Sequence, residues 1–206
     1  MPPVSRRPKA DQTVLQRQLA GGAPAPKATA IDVFALARAR FTEGERVEMS
    51  ALAEELGLNR VTVYRWVGSR EQLLVELLWS LAEPTLDYQR EHVKETGAER
   101  IVEVMTNFIV AVLSNAGMSR FVSEEGELAM RVLTRADLGF EPRLMDWLED
   151  LLREEVAAGR LELPGELDDC AYALVRVLEA YIMLDMITGE EPDPRRAGHI
   201  LRLILT

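Results

Sequence analysis

From Ala28 onward, apolar side chains recur every three or four positions, the period of a helix with one buried face. Ile31, Phe34, Ala37 and Phe41 mark a first helix that stops near Gly44. A second, short helix is predicted over about Ser50–Leu56 with Gly57 behind it, and a third over about Arg60–Val67, stopped by Gly68. Ser69 with Gln72 three residues on forms a capping box that opens a long helix, and Pro84 predicts a kink or an end to it. Further helices are predicted over 98–115, 118–136, 141–158, 167–187 and 193–205, with Gly97, Gly117, Gly139, Gly159 and Gly189 between them as stop signals. No segment alternates with period two over a strand's length, and no internal repeat is visible. The fold class is therefore all-α: a small three-helix domain over residues 28–69, then a larger helical bundle over 70–206. Residues 1–27 form a flexible basic tail broken by Gly21-Gly22 and Pro24-Ala-Pro26, with one short amphipathic helix expected over Asp11–Ala20.

Composition narrows the class. At 206 residues and 48% hydrophobic, the chain can bury a core without staples or metals. Its most apolar run is interrupted by Arg176, Glu179 and Asp185, so no bilayer span is expected. The N-terminus lacks the apolar segment of a secretory signal. The single cysteine, Cys170, allows no intrachain disulfide and fits a reducing compartment. A soluble, cytoplasmic protein is the simplest expectation. The net charge of −10 is unevenly placed: residues 1–82 hold 11 Lys/Arg against 9 Asp/Glu, the remainder 13 against 25. A polyanion would be drawn to the first part and repelled by the second, although acidic surfaces also serve solubility.

The stretch Leu52-Ala-Glu-Glu-Leu-Gly-Leu-Asn-Arg-Val-Thr-Val-Tyr-Arg-Trp-Val67 carries the most chemistry. Leu52, Leu56, Leu58, Val63 and Trp66 are spaced to pack two short helices across a tight turn, Ala53 is small where they approach, and Gly57 stands where a positive φ is needed. Asn59 can cap the next helix by accepting from the Thr62 amide. Arg60, Val61, Thr62, Tyr64 and Arg65 are left on the exposed side of a short basic helix, which fits the major groove of DNA.

Leu58-Asn-Arg-Val-Thr-Val-Tyr-Arg-Trp-Val-Gly-Ser-Arg-Glu-Gln-Leu73 resembles the signature of TetR-type regulators, and the likeness covers about residues 28–81. The resemblance implies a homodimeric, ligand-responsive repressor that leaves a palindromic operator when a small effector binds. It implies that Thr62 and Tyr64 hydrogen-bond phosphates, that Arg60 and Val61 meet base edges, that Arg65 adds a base or backbone contact, and that Arg70 takes the place of the family's phosphate-binding lysine. Trp66 and Val67 replace the family's usual His and Phe, as packing swaps. Glu48 and Ser50 stand where a hydroxyl cap and a basic residue are frequent, which places the expected DNA contact at Ser50 in doubt. Arg6, Arg7 and Lys9 could add a DNA-binding arm; a solvated tail is the alternative.

In the second domain, the long helix from Ser69 would, by resemblance, transmit effector binding to the spacing of two readers in a dimer. Residues 170–187, within the helix predicted over 167–187, are apolar nearly all round, and the last helix adds Ile200, Leu201, Leu203, Ile204 and Leu205. The resemblance makes these the dimer interface, a four-helix bundle with two helices from each chain; a central helix of a monomeric core is the other reading. Effector-binding candidates are Met105, Phe108, Val112, Phe121, Met145, Trp147, Glu179, Tyr181 and Met183, each also at home in ordinary core packing. Arg176 and Glu179, three apart in an apolar helix, can pair with each other. Few polar residues interrupt these faces, so an apolar or amphipathic effector is expected, for which an acyl chain or a lactone is suitable.

Against an enzyme, His92 and His199 have no Cys or carboxylate at metal-ligand spacing, Cys170 sits inside an apolar helix, and no phosphate loop or dinucleotide fingerprint occurs. No metal and no cofactor are expected. A protein-interaction bundle with an inactive reader is the remaining rival.

Overall fold

The computed structural model describes residues 28–206. The Asp11–Ala20 helix and the basic arm of Arg6, Arg7 and Lys9 lie outside the described residues.

The chain begins with α1 (Ala30–Thr42), started by a capping box in which the Thr29 hydroxyl accepts from the Asp32 amide at 3.3 Å and the Asp32 carboxylate accepts from the Thr29 amide at 2.7 Å. Val33, Ala37 and Phe41 face inward from it. α2 (Met49–Glu55) and α3 (Arg60–Val67) pack on α1 through Met49, Leu52, Ala53 and Val63. Gly57, at φ 62°, makes the left-handed step between them, and the Leu58 amide returns to the Ala53 carbonyl at 2.8 Å. Asn59 caps α3 as expected, but its side-chain oxygen accepts from the Val61 amide at 2.8 Å, one residue earlier than Thr62. The extended backbone of Asn59 turns the side chain onto the nearer N–H, the geometry of an Asx turn.

α4 (Arg70–His92) opens on the Ser69–Gln72 capping box. Pro84 does not end it: the helix continues past the proline to His92. Pro84 is on the exposed face, so the hydrogen bond it cannot donate is lost toward solvent, while Ala82 and Leu86 continue the buried face. The Thr85 hydroxyl donates to the Leu81 carbonyl at 2.8 Å beside it.

The remaining helices are α5 (Gly97–Leu113), α6 (Ala116–Glu124), α7 (Gly126–Thr134), a single 3-10 turn (Ala136–Leu138), α8 (Phe140–Ala157), α9 (Leu167–Ile182), α10 (Leu184–Thr188) and α11 (Pro194–Ile204). Two expected helices are each broken. The 118–136 segment parts at Glu125 (φ −130°, ψ 36°) into α6 and α7, and the 167–187 segment parts at Met183 (φ −105°, ψ 14°) into α9 and α10. The apolar period runs straight across both breaks, so periodicity could not show them. Gly117 is not a stop signal: it lies inside α6, where a Cβ would stand 1.9 Å from the Phe41 carbonyl oxygen. Its missing side chain lets α6 seat directly on the end of α1.

α5 is the central helix of the bundle, burying Ile101, Val102, Val104, Met105, Phe108 and Ile109 against α4, α9 and α11. The end of the bundle is closed by Glu155, fully buried on α8. Its carboxylate accepts from the Gly97 amide (2.7 Å), from Arg100 (2.5 Å) and from Arg160 (2.7 and 2.8 Å). These N–H donors hold the carboxyl down at a pKa of about 2, against the burial that would raise it. Among the described residues, no single helix is long and apolar enough to cross a membrane.

Candidate nucleic-acid interface and ligand cavity

α3 presents one face to solvent. Arg60, Val61, Tyr64 and Arg65 are exposed on it, Val61 with 73% of its surface free, while Val63 is fully buried and Trp66 and Val67 pack against the core. This is the division that the helical period demands, with the base-reading candidates outward and the anchors inward. Arg60 and Tyr64, four apart, are in contact: the guanidinium donates to the phenol oxygen at 3.2 Å and lies 5.4 Å from the ring centroid. The Tyr64 hydrogen bond raises the already high pKa of Arg60. Asn59 is spent on the cap, and Thr62 is half-buried at the helix's first turn. Ser50 is exposed at the start of α2, and the neighbouring Glu48 is held by Arg46 at 2.5 Å. Arg40 pairs with Glu55 and so ties α1 to α2.

Arg70 departs from its expected place on the DNA side. Its Nε donates to the Val47 carbonyl at 2.6 Å, and its two terminal nitrogens grip the Glu125 carboxylate at 2.6 and 3.0 Å. Arg46 (3.3 Å) and Arg120 (3.8 Å) approach the same carboxylate. Burial acts to raise the Glu125 pKa, but Arg70's hydrogen bonds and the three nearby guanidinium charges outweigh it, and the pKa is lowered. The fork of Arg70 thus fastens α4 and the α1–α2 connection to the α6–α7 corner. Sequence position alone could not show this, because Glu125 is 55 residues away.

Inside the bundle, α4, α5, α8 and α9 form most of the wall of a partly open apolar cavity of about 80 Å³. Of the expected effector-binding residues, Phe108, Val112 and Glu179 line it. Met105 and Phe121 are buried in the core, Phe121 with its ring edge-on to Phe41 at 6.0 Å. Met145 is half-buried, and Tyr181 and Met183 are buried away from the cavity wall. Trp147 is half-buried outside the cavity wall, its indole N–H donating to Asp87 at 2.8 Å and Arg90 lying 5.9 Å over its ring. The reason is helix phase: these side chains lie on the apolar faces of the right helices but point at a neighbour, not at the void.

Residues not foreseen complete the wall, among them Phe41, Leu78, Thr85, Asn115, Met118 and Phe140. Phe41 belongs to α1, so one wall of the cavity comes from the N-terminal three-helix unit. A second hollow of about 310 Å³, open to solvent, lies between α6 and the Met183 break and has Val112, Met118 and Ile182 in common with the wall of the first. Glu179 is the charged residue on the inner wall. Arg176 is its partner at 3.1 Å but divides itself, donating also to Glu141 at 2.6 Å. Burial pushes the Glu179 carboxyl up to about 7, with Arg176 lowering and Glu141 raising it.

A helix-turn-helix reader joined by a long helix to an all-α sensor with an internal cavity is the plan of a single-chain transcriptional regulator. Residues 96–206 match the family model of the tetracyclin repressor-like C-terminal domain, and the chain belongs to the TetR family. Members of this family are transcriptional regulators and not enzymes; they bind DNA operators, dimerise and take small-molecule ligands. Among solved structures the fold resembles the TetR-family transcriptional repressor QsdR of R. erythropolis, with a TM-score of 0.77, 24% identity, and coverage of 85% of this chain and 93% of that one. It also resembles the TetR-family repressor AlkX of a Dietzia species, implicated in n-alkane biodegradation (TM-score 0.57, 19% identity, coverage 88% and 96%). A third likeness is to the regulator FadR of Bacillus subtilis in complex with stearoyl-CoA (TM-score 0.57, 12% identity, coverage 85% and 97%). No curated protein sequence matches the chain.

Proposed function

We propose that this chain is a homodimeric repressor that leaves a palindromic operator when a small apolar or amphipathic effector enters the cavity. α3 enters the major groove. Arg60 and Val61 contact base edges, Thr62 and Tyr64 fix the helix on phosphates, and Arg65 and Ser50 flank them. The domain boundaries near residue 69 and the dimer helices over 167–187 and 193–205 belong to the same proposal. Tyr172 and Leu203 are more than half exposed on α9 and α11, which supports a partner there, although α9 is covered on its remaining faces by its own chain.

The observation that carries the reading is Phe41, at once a wall of the cavity and the end of the reader's first helix. A cavity of about 80 Å³ is too small for a drug-sized ligand, whose pockets run to roughly 300–1,000 Å³. Such an effector must therefore enlarge it. Displacing Phe41 moves α1 against α6 and shifts the two readers of a dimer off their spacing. The ligand binds one arrangement better than the other, which is the requirement for a shift in population.

The test is selection of bound sequences from a random double-stranded DNA pool with purified protein at fixed salt. A palindrome with half-sites about one helical turn apart would support reader, dimer and function together. Unenriched binding that vanishes at modest salt would refute the regulator reading and favour an interaction module.

A further inference from the structure

The chemistry lining the two neighbouring hollows defines the kind of molecule that can occupy the site, an inference that rests on the inner cavity being the effector site. The polar side chains of the inner wall are Thr85, Asn115 and Glu179. The outer hollow adds Ser119, Ser123, Asp185 and Glu191. Among the described residues no Lys or Arg lines either, and every ionisable side chain on the walls is a carboxylic acid. Arg176, the nearest guanidinium to Glu179, is bound to Glu141 and to Glu179 itself. An anion in the outer hollow would face Asp185 and Glu191, and one in the inner cavity would meet the Glu179 carboxyl, whose neighbouring guanidinium is already engaged.

We propose that the effector is an uncharged amphiphile, an apolar chain bearing an ester- or amide-type carbonyl whose oxygen accepts hydrogen bonds from Glu179 and from the Asn115 amide. The donors are available. The Asn115 side-chain oxygen already accepts from the Met118 amide at 2.9 Å, so its NH2 is what remains to offer. Glu179 faces the cavity, and the charges around it are Arg176 on its own helix and Glu141 on α8. Two carboxyls share that one guanidinium. With the Glu179 carboxyl raised to about 7, the protonated acid is well populated at neutral pH and can donate. The apolar chain lies against Phe108, Phe140 and Leu178, where a charged head would have to lose its hydration, and a cation would also have to compete with Arg176 for the Glu179 carboxylate. The same walls reject carboxylates and phosphorylated carriers by like charge, a discrimination built against the wrong ligand as much as for the right one.

The experiment titrates three molecules with matched chains, methyl octanoate, octanoate and octylamine, into the DNA-free full-length protein by calorimetry at pH 7. It uses the wild type, Glu179→Gln and Glu179→Leu. Methyl octanoate is expected to bind at least about tenfold more tightly than either charged analogue, which corresponds to one unmatched polar contact. Gln, which keeps a donor without a titrating proton, should bind it within about threefold of wild type, and Leu should weaken it roughly tenfold. Tighter binding of octanoate or octylamine, loss of binding in the Gln variant, or no binding of any of the three overturns the proposal. Because the titrations contain no DNA, ligand binding with no selected operator would sink the regulator reading alone, and a selected operator with preference for a charged analogue would sink this one alone.

Discussion

Arg70→Gln tests whether this side chain is a DNA contact or an internal fastener. The side chain is 18% exposed and that of Glu125 9%, with three hydrogen bonds between the fork and its acceptors. Removing one partner of a buried pair costs about 3–5 kcal/mol. Here Arg46 and Arg120 stay within 4.0 Å of the stranded carboxylate, so the loss should be nearer about 2–3 kcal/mol. Glu125→Gln should cost a similar amount, and the double variant little more than either, a coupling of about 2 kcal/mol in urea denaturation. Since the folded Glu125 pKa is lowered, its contribution is fully present above the unfolded value of 4.5 and is lost as pH falls through the folded value. The difference between wild type and Arg70→Gln should therefore shrink in acid. If Arg70 instead bound a phosphate in each subunit, its removal would flatten the slope of log K against log salt by about 2 for a dimer. A fastened Arg70 predicts no such change. A flattened slope together with coupling below about 0.5 kcal/mol would refute the internal role.

Three further outcomes are expected. Glu155→Gln should destabilise by about 3 kcal/mol at pH 7, because a carboxyl moved from 4.5 to about 2 carries about 1.4 kcal/mol per unit. That effect should fade between pH 4.5 and 2, and a pH-independent difference in denaturant midpoint would count against the clamp. Gly117→Ala places a methyl against the Phe41 backbone, so a loss of about 1–3 kcal/mol and a lower Tm are expected, and an unchanged Tm would show that α6 can shift freely. In DNA binding, Tyr64→Phe should weaken all sequences alike by about fivefold, whereas Arg60→Ala should relax the preference at one base position; selection with both variants distinguishes them, and identical profiles would reverse the assigned roles.

What was legible in the chain is what depends on neighbours a few residues apart. The Ser69–Gln72 box, the Gly57 turn, the Asn59 cap and the outward face of α3 are all set by groups within one helical turn, and a single sequence contains both partners. Arg70 and Phe41 gave their secondary structure but not their use, and Gly117 gave neither, because Glu125, the cavity and the Phe41 carbonyl come from other elements. The two buried acids make the point most sharply. Glu155 and Glu179 each interrupt the apolar face of a long helix, and each has an arginine close by in the chain, Arg160 and Arg176. Glu155 meets the Gly97 amide, Arg100 and Arg160, and becomes a strongly acidic structural clamp. Glu179 has Arg176, shared with Glu141, and an apolar void, and becomes a weak acid with a proton to give. Periodicity reports that a charge is inside. Whether that charge holds the fold or awaits a ligand is decided by how many N–H donors other helices bring to it. Glu179 has a single guanidinium, shared with Glu141, and burial holds its pKa up at about 7, which is why we place the ligand's polar end beside it.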